Sequence, residues 1–162
     1  MNIAPIPVKV SVVMSVFSEP RNWLKKAINS ILDQTFSDFE FIIINDNPIR
    51  KENYLFLKEI QQKDSRIIII ENKENIGLTK SLNKGLSVAR GTYIARMDAD
   101  DISFPTRLEK QYLFMEANSG VIACGAWART IGKEKNINLD HYKTTPRDIA
   151  NSIYTSYTVF KV

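Results

Sequence analysis

Cysteine and histidine are almost absent from this chain of 162 residues, which contains one of each, Cys124 and His141. A single cysteine cannot form an internal disulfide, and two such residues cannot supply a cysteine- or histidine-rich zinc site. Cys124 lies in an apolar run of the sequence, which predicts a small buried core residue. His141 lies in a polar stretch and is assigned no role.

Long apolar runs are absent as well. No run approaches the roughly 20 residues that a membrane-spanning helix needs. The N-terminal segment MNIAPIPVKV lacks the charged start and long apolar core of a signal peptide. These absences predict a cytoplasmic protein, with peripheral association at the inner face of the membrane left open.

Positive charge is not concentrated in any one part of the chain. The formal net charge is +4, and the lysines and arginines are spread along the sequence without a dense basic block. A nucleic-acid-binding domain usually gathers its positive charge on one face, so we expect no nucleic-acid partner. The mild excess favours anionic small ligands or an anionic membrane surface without distinguishing them. The length fits a single domain over residues 1–162.

Apolar segments of strand length alternate with amphipathic segments of helix length. This alternation predicts an α/β fold, with a mostly parallel sheet and helices on both of its faces. The predicted strands are Val8–Val16, Phe39–Asn45, Ile67–Ile70, Thr92–Met97, Val121–Trp127 and Tyr157–Val162.

Helices are predicted between the first five strands, and a short helix follows from Pro146. Ser18 is the predicted cap of the first helix, and Pro20 lies in its first turn. The later helices are marked by Tyr54, Leu57 and Ile60; by Leu78, Leu82, Leu86 and Ala89; and by Leu108, Tyr112 and Met115 after a start at Ser103 and Pro105.

Polar side chains gather where three of the predicted strands end. Ligands of open α/β sheets bind outside the carboxyl ends of the strands, so these residues are candidates for a binding site. They are Ser15, Ser18 and Glu19 at the end of strand one, with the aromatic Phe17 between them, Asp46 after strand two, and Asp98, Asp100 and Asp101 after strand four.

The three aspartates after strand four repel one another unless a cation or a hydrogen-bond donor offsets them. In an extended segment, Asp98 and Asp100 point to the same side. Magnesium and manganese prefer carboxylate oxygens, and magnesium typically shares them with phosphate groups. Arg96 has the same strand parity and is expected to offset the pair or to face a phosphate. The alternative is a solvated acidic turn that caps the next helix.

The other candidates also have structural alternatives. By itself, Asp46 is more typical of a turn or a helix cap before a proline-containing loop. Phe17 by itself is more typical of a core residue at a strand end. Lys80 is a single cation that is ordinarily solvated.

Two long segments are similar to the family 2 glycosyltransferases, which share the GT-A fold. The opening VSVVMSVFSEPRNWLKKAINSILDQTFSDFEFIIINDN resembles the first two strands and the intervening helix of that family. The run ENIGLTKSLNKGLSVARGTYIARMDADDISFPTRLEKQ resembles its second block, which ends in the DxD region. The resemblance covers about Val8 to Trp127, and it is specific because several separate motifs occur in the order that the family has.

The resemblance implies a role for each matching position. Leu82 stands where many relatives carry an arginine, so the diphosphate is expected to depend more on the metal or on Lys80. The implied cofactor is a divalent metal ion, manganese or magnesium. For the nucleotide, the resemblance implies that Ser15 and Phe17 line the donor base, that Asp46 hydrogen-bonds that base, and that Asn75 and Gly77 lie in the loop beside it. For the diphosphate, it implies that Asp98 lies near the ribose and the metal and that Asp100 binds the metal.

The implied reaction is an inverting transfer of a sugar from a nucleotide-diphosphate donor, commonly a UDP-sugar, to an acceptor hydroxyl. The acceptor class is a saccharide or a lipid-linked saccharide, as in polysaccharide biosynthesis. The family's catalytic base is a later acidic residue with no match before Val162. We therefore expect a GT-A domain truncated before the acceptor-binding region, itself inactive. The alternative is a catalytically incompetent nucleotide-sugar-binding module.

Two other classes fit less well. A phosphoacceptor signalling domain needs an acidic pair after strand one, where this chain has Val16, Phe17 and Ser18. A nucleotidyltransferase needs a glycine-rich loop at the same place, and that loop is missing.

Overall fold

The computed structural model describes residues 8–126 and the backbone of three short strands further along the chain. Those strands are Ala128–Arg129, Leu139–Asp140 and Val159–Lys161. The helix predicted from Pro146 and the end of the strand predicted to reach Trp127 lie outside the described residues.

Four strands and four helices alternate through most of the described chain, as the sequence pattern predicts. The first two strands are rich in β-branched residues and are buried almost throughout, which suits the central positions of a sheet. The elements are β1 (Val10–Val16), α1 (Arg21–Leu32), β2 (Phe39–Asn45), α2 (Lys51–Lys63), β3 (Ile67–Glu71), α3 (Leu78–Leu86), β4 (Tyr93–Asp98) and α4 (Arg107–Ala117), followed by the short strands β5 (Ala123–Cys124), β6 (Ala128–Arg129), β7 (Leu139–Asp140) and β8 (Val159–Lys161).

The main sheet is parallel over four strands and antiparallel at one side. Its order is β3-β2-β1-β4-β8-β5. Strand β1 pairs in parallel with β2 and with β4, and β2 pairs in parallel with β3. Strand β8 is antiparallel to β4 and β5, and β6 pairs with β7 in a separate small sheet. The predicted mostly parallel sheet is therefore confirmed.

Helices cover both faces of this sheet because successive side chains of a buried strand point in opposite directions. The face that carries Met14 and Ile43 packs against α1, α2 and α4 in one large core cluster. The opposite face, with Val13 and Ile44, packs against α3 in a second cluster. Helix α3 approaches so closely that a Cβ on Gly85 would lie 2.6 Å from Val13 Cγ1.

Three local predictions are wrong. Ser18 does not cap α1, which begins at Arg21 with Pro20 at its N-cap and no side-chain cap bond. In α2, which the sequence does predict, the buried residues are Asn53, Phe56 and Leu57, and Tyr54 is exposed. Strand β5 is only two residues long, and Cys124 within it is half-buried rather than buried.

A buried carboxylate cross-links the chain at the edge of the sheet where the parallel strands begin. Glu40 accepts hydrogen bonds from Ser11 Oγ at 2.6 Å, from the Arg90 backbone N–H at 2.7 Å and from the Arg90 guanidinium at 2.8 and 2.7 Å. Burial raises the pKa of Glu40, but the bonds from Ser11 and Arg90 lower it below the ordinary value. The Gly91 N–H donates to Ser11 Oγ at 2.8 Å and completes the cluster.

Gly91→Ala is expected to destabilise the protein strongly. An added Cβ would lie 2.5 Å from Ser11 N and 2.7 Å from Val10 C, and both are backbone atoms that cannot turn away. We expect the free energy of unfolding to fall by at least about 1–3 kcal/mol, the usual cost of overpacking. Gly120→Ala is the control, since its Cβ would meet nothing within 4 Å. Equal denaturant midpoints for the two variants would contradict this account.

Candidate functional site

The carboxyl ends of three neighbouring strands meet at one edge of the sheet. In the parallel register Ser15 of β1 lies opposite Asp98 of β4, and Val16 lies opposite Asn45 of β2. Asp46 follows directly and donates its backbone N–H to Val16 O at 2.8 Å. Neighbouring strands are about 4.8 Å apart, so the ends of β2 and β4 are separated by about 10 Å. The prediction that Asp46 and the Asp98–Asp101 segment share one edge is confirmed.

Asp46 is almost completely buried, with 2% of its surface exposed. Its Oδ1 accepts hydrogen bonds from the Ile76 N–H at 2.9 Å and from Asn72 Nδ2 at 2.8 Å. Its Oδ2 accepts from the Gly77 N–H at 2.9 Å. The carboxylate therefore holds the loop between β3 and α3 in place.

These donors also explain the charge state of Asp46. Burial raises the pKa of Asp46, but hydrogen bonds from Ile76, Asn72, the Ser81 hydroxyl and Gly77 together lower it below the ordinary value. Two of the donors are backbone N–H groups, which cannot ionise or be replaced by a side-chain substitution. Asp46 is thus an ionised carboxylate with its oxygens directed at the loop.

Sequence reasoning missed the residues that surround Asp46. Asn72 Nδ2 also donates to Ser81 Oγ at 2.9 Å, and Asn72 Oδ1 accepts from Lys84 Nζ at 2.8 Å. Asn72 comes one residue after β3, and Ser81 and Lys84 lie on α3. The available signal for Asn72 was a polar residue directly after an apolar strand, as it was for Asp46.

A cavity of about 510 Å³ opens beside this cluster. Glu71 lies in its wall and accepts a hydrogen bond from Asn45 Nδ2 at 2.8 Å through Oε2. Its lining residues are Pro48, Lys51, Tyr54, Leu55, Glu71 and Asn72. The cavity therefore adjoins the Asp46 cluster through Asn72, while neither Asp98 nor Asp100 lines it.

The acidic segment after β4 is a turn. Strand β4 ends at Asp98, and the Asp101 N–H bonds back to Asp98 O at 3.3 Å. The expectation of an extended segment through Asp100 is therefore wrong. Arg96 donates to Asp98 Oδ1 through Nε at 3.2 Å and through Nη2 at 3.0 Å, which confirms that it offsets an aspartate of the same strand parity. Asp100 is exposed.

The other predicted site residues lie around the same edge. Phe17 is 44% exposed at the end of β1, so the alternative of a core residue does not hold. Gly77 has a φ of 84°, which a glycine adopts without strain, and it is the N-cap of α3. Ser15 is half-buried, and Asn75 and Lys80 are exposed.

The described residues do not form a complete set of metal ligands. Among them, no group of three or more histidine, cysteine, aspartate or glutamate side chains is placed to hold an ion. Asp98 and Asp100 offer hard carboxylate oxygens, and magnesium usually takes one or two carboxylates together with substrate phosphates and water. The donor set therefore fits an ion shared with a diphosphate and does not fit an ion held by the protein alone.

A parallel sheet with polar and acidic side chains at the carboxyl ends of its central strands defines an α/β ligand-binding domain. The chain belongs to glycosyl transferase family 2, whose family model matches residues 11–160. The resemblance seen in the sequence is thereby confirmed at the level of the family. In the described part of the chain, no helix is long and apolar enough to span a membrane.

Among related sequences, a glycosyltransferase of Methanocaldococcus jannaschii described as uncharacterized is 49% identical over 128 residues, which cover 79% of this chain and 44% of that protein. The O-antigen biosynthesis glycosyltransferase WbnJ of Escherichia coli is 41% identical over 110 residues, covering 67% of this chain and 42% of the relative. The chain thus spans less than half the length of these relatives.

Solved structures of S. aureus TarS have the same fold. One matches with a TM-score of 0.71 at 17% identity, covering 95% of this chain and 28% of TarS. A shorter TarS structure, residues 1–349, matches with a TM-score of 0.72 at 18% identity and covers 95% of this chain and 47% of that one. The predicted GT-A architecture is confirmed by these matches together with the parallel sheet.

Asp46→Asn and Asp100→Asn are expected to differ in their effect on stability. Asparagine in place of Asp46 would turn an N–H donor toward backbone donors, so the free energy of unfolding should fall by about 1–3 kcal/mol at pH 7. Because the folded pKa of Asp46 is lowered, this advantage of the wild type is present above the unfolded pKa of about 3.9 and is lost as the pH falls from there through the folded pKa. Asp100 is exposed, so its variant should stay within about 0.5 kcal/mol. A pH-independent loss in the Asp46 variant would refute this account.

Proposed function

We propose that this chain holds the nucleotide-sugar donor of a glycosyltransferase, most simply a UDP-sugar, for transfer to an acceptor hydroxyl. The observation that carries the proposal is the register of β1 with β2 and β4, which brings Asp46 and Asp98 to one edge of the sheet. Membership of glycosyl transferase family 2 supplies the reaction class.

The nucleoside half of the donor is proposed to lie between β1 and the β3–α3 loop. Phe17 offers an exposed aromatic face on which a base can stack. Asn75 and Gly77 lie in the loop that Asp46 holds, and Ser15 lies at the end of the neighbouring strand. A direct bond from Asp46 to the base stays a prediction. Four donors already surround this carboxylate, and a carboxylate accepts about four hydrogen bonds, so a base N–H would replace one of them.

The diphosphate half is proposed to lie over Asp98, Asp100 and Lys80. Asp100 is exposed and is assigned as the main ligand of a manganese or magnesium ion, with Asp98 beside it. Arg96 reduces the negative charge of Asp98 and so lowers the repulsion of the phosphates. Lys80 supplies an exposed cation near the start of α3, because Leu82, at the position where many relatives carry an arginine, has no charge. The ion, when bound, offsets negative charge on the leaving diphosphate.

Transfer itself is proposed to be inverting, with a carboxylate that deprotonates the acceptor. We assign that base to no residue of this chain. Inactivity of the chain by itself therefore stays a prediction, and so does the activity of any longer protein that contains it. Donor binding without transfer in such a protein would identify a nucleotide-sugar-binding module instead.

The acceptor is proposed to be a saccharide or a lipid-linked saccharide. The name of the E. coli relative WbnJ, an O-antigen biosynthesis glycosyltransferase, supports a role in polysaccharide assembly. The net charge of +4 is compatible with peripheral binding to an anionic membrane. A cytoplasmic location at the inner membrane face stays part of the proposal.

Asp100→Ala is expected to weaken UDP binding in manganese much more than in chelator. Only the metal-mediated part of the affinity depends on this carboxylate. Loss of a charged interaction of this kind lowers the affinity about tenfold or more. Isothermal calorimetry with UDP in manganese and in EDTA measures the two affinities.

Asp38→Ala is the matched control for this measurement. It removes the same charge from an exposed aspartate that precedes β2 at the opposite edge of the sheet. Equal losses of affinity in manganese and in EDTA for Asp100→Ala would show that Asp100 is not a metal ligand. No effect of manganese on the wild type would refute the metal part of the proposal.

A further inference from the structure

We infer that Gln34, two residues after the end of α1, is a positioning residue for the acidic loop that carries Asp100. The inference rests on the proposed function of Asp100, but Gln34 itself touches neither donor nor metal. The loop in question is residues 99–106, between β4 and α4, and is called the DxD loop below.

The DxD loop contains both buried and exposed residues. Ala99 and Ser103 are buried, whereas Asp100, Ile102, Phe104 and Pro105 are exposed. Its internal backbone bonds run from Asp101 N to Asp98 O and from Arg107 N to Phe104 O. An ordered backbone residue costs about 1–2 kcal/mol of conformational entropy, so a loop of this length needs further contacts to stay in one conformation.

Those contacts come from the last turn of α1 and the residues directly after it. Gln34 Nε2 donates to Phe104 O and to Ser30 O, each at 2.8 Å, and Ser103 Oγ is a third, longer contact at 3.2 Å. Ser30 Oγ accepts from the Ser103 N–H at 2.9 Å, and the Thr35 N–H donates to Pro105 O at 2.9 Å. We call Ser30, Gln34 and Thr35 the α1 clasp.

Gln34 also caps the helix that follows the loop. Helix α4 has Thr106 at its N-cap with no side-chain cap bond of its own. The Leu108 N–H instead donates to Gln34 Oε1 at 2.9 Å. One side chain therefore fixes the end of the loop with its amide N–H₂ and the start of α4 with its amide oxygen. Gln34 is 7% exposed, so water does not readily replace these bonds.

The start of α4 is also bonded directly to β4, outside the clasp. Arg107 Nη2 donates to Arg96 O at 3.0 Å and holds the start of α4 against β4. Asp100 lies between this strand end and the clasp, three residues before Ser103. If the clasp opens, β4 still holds Asp98, but Ser103 and Phe104 lose their side-chain bonds, so we expect the range of Asp100 positions to widen. Metal binding must then restore the loop, and the apparent affinity falls by the fraction of molecules that are correctly arranged.

The test measures UDP affinity in manganese and in EDTA for Gln34→Ala. The manganese-dependent gain is the UDP affinity in manganese divided by that in EDTA. We expect this gain to fall about tenfold, corresponding to one or two lost buried hydrogen bonds, with little change in the affinity in EDTA. Gln34→Glu separates the two halves of the side chain, since it keeps an oxygen for Leu108 N–H but loses the donor to Phe104 O. The same loss in both variants assigns the effect to the loop and not to the helix cap.

Ser11→Ala is the control for general destabilisation. Its hydroxyl is fully buried and makes two bonds, of 2.6 and 2.8 Å, at the opposite edge of the sheet. This variant should lower the melting temperature comparably and leave the manganese-dependent gain unchanged. An equal loss of that gain in Ser11→Ala, or its full retention in Gln34→Ala, overturns the inference. If Gln34→Ala does not fold, Ser30→Ala opens the clasp more mildly and should lower the gain about threefold.

Hydrogen exchange makes the test independent of the metal. The Asp101 amide bonds to Asp98 O and not to the clasp, so it should exchange faster in ligand-free Gln34→Ala than in the wild type. The Asp46 amide, bonded to Val16 O, is the internal reference. If manganese has no effect on the wild type, the proposed function fails in its metal part. In that case, the inference about the clasp is still overturned if the ratio of the Asp101 to the Asp46 amide exchange rate is the same in Gln34→Ala as in the wild type.

Discussion

Parallel pairing of β1 with β2 on one side and β4 on the other is the constraint on which the candidate site depends. Parallel strands all end at the same edge, and the register sets how far each one reaches. The strands are apolar on both faces, where α3 covers one face and three helices cover the other. A shift of one residue would exchange the two faces of a strand, so packing holds the register and thereby holds Asp46 and Asp98 together.

Two buried carboxylates stabilise opposite edges of this sheet by the same physical means. Glu40 at one edge and Asp46 at the other are each 2% exposed, and burial raises the pKa of both. Donors converge on each of them and bring the pKa below its ordinary value. At Glu40 the donors connect β1 and β2 with the segment that precedes β4, whereas at Asp46 they order the loop that leads into α3.

The candidate site therefore has a rigid half and an exposed half. Asp46 and its loop are bonded internally, while Asp100 is exposed in a turn. This division suits the proposed donor, whose nucleoside would meet a preformed surface and whose diphosphate would share a metal ion with Asp98 and Asp100. A site of this kind gains affinity from pre-organisation on one side and from shared ligands on the other.

Much of the fold followed from local pattern. The alternation of strands and helices, the bounds of β2 and the position of Asp46 after it are all readable in the sequence, because a buried strand has a distinct composition and ends at a polar residue. Burial within a helix was harder to read: Tyr54 fits a helical spacing, yet the stripe through Asn53, Phe56 and Leu57 is the one that packs. Spacing alone does not reveal which face meets the sheet.

The sequence by itself determined the family, the succession of the first four strands along the chain, and the acidic residues that follow the second and fourth strands. Only the tertiary structure decided what those residues touch. Asp46 is bonded to Asn72, Ile76 and Gly77, and Gln34 reaches Leu108, which is 74 positions away along the chain. Periodicity is a local property and records the contacts of a residue with its own element. Hydrogen-bond partners from different elements are set by how those elements pack, and no local pattern carries that information.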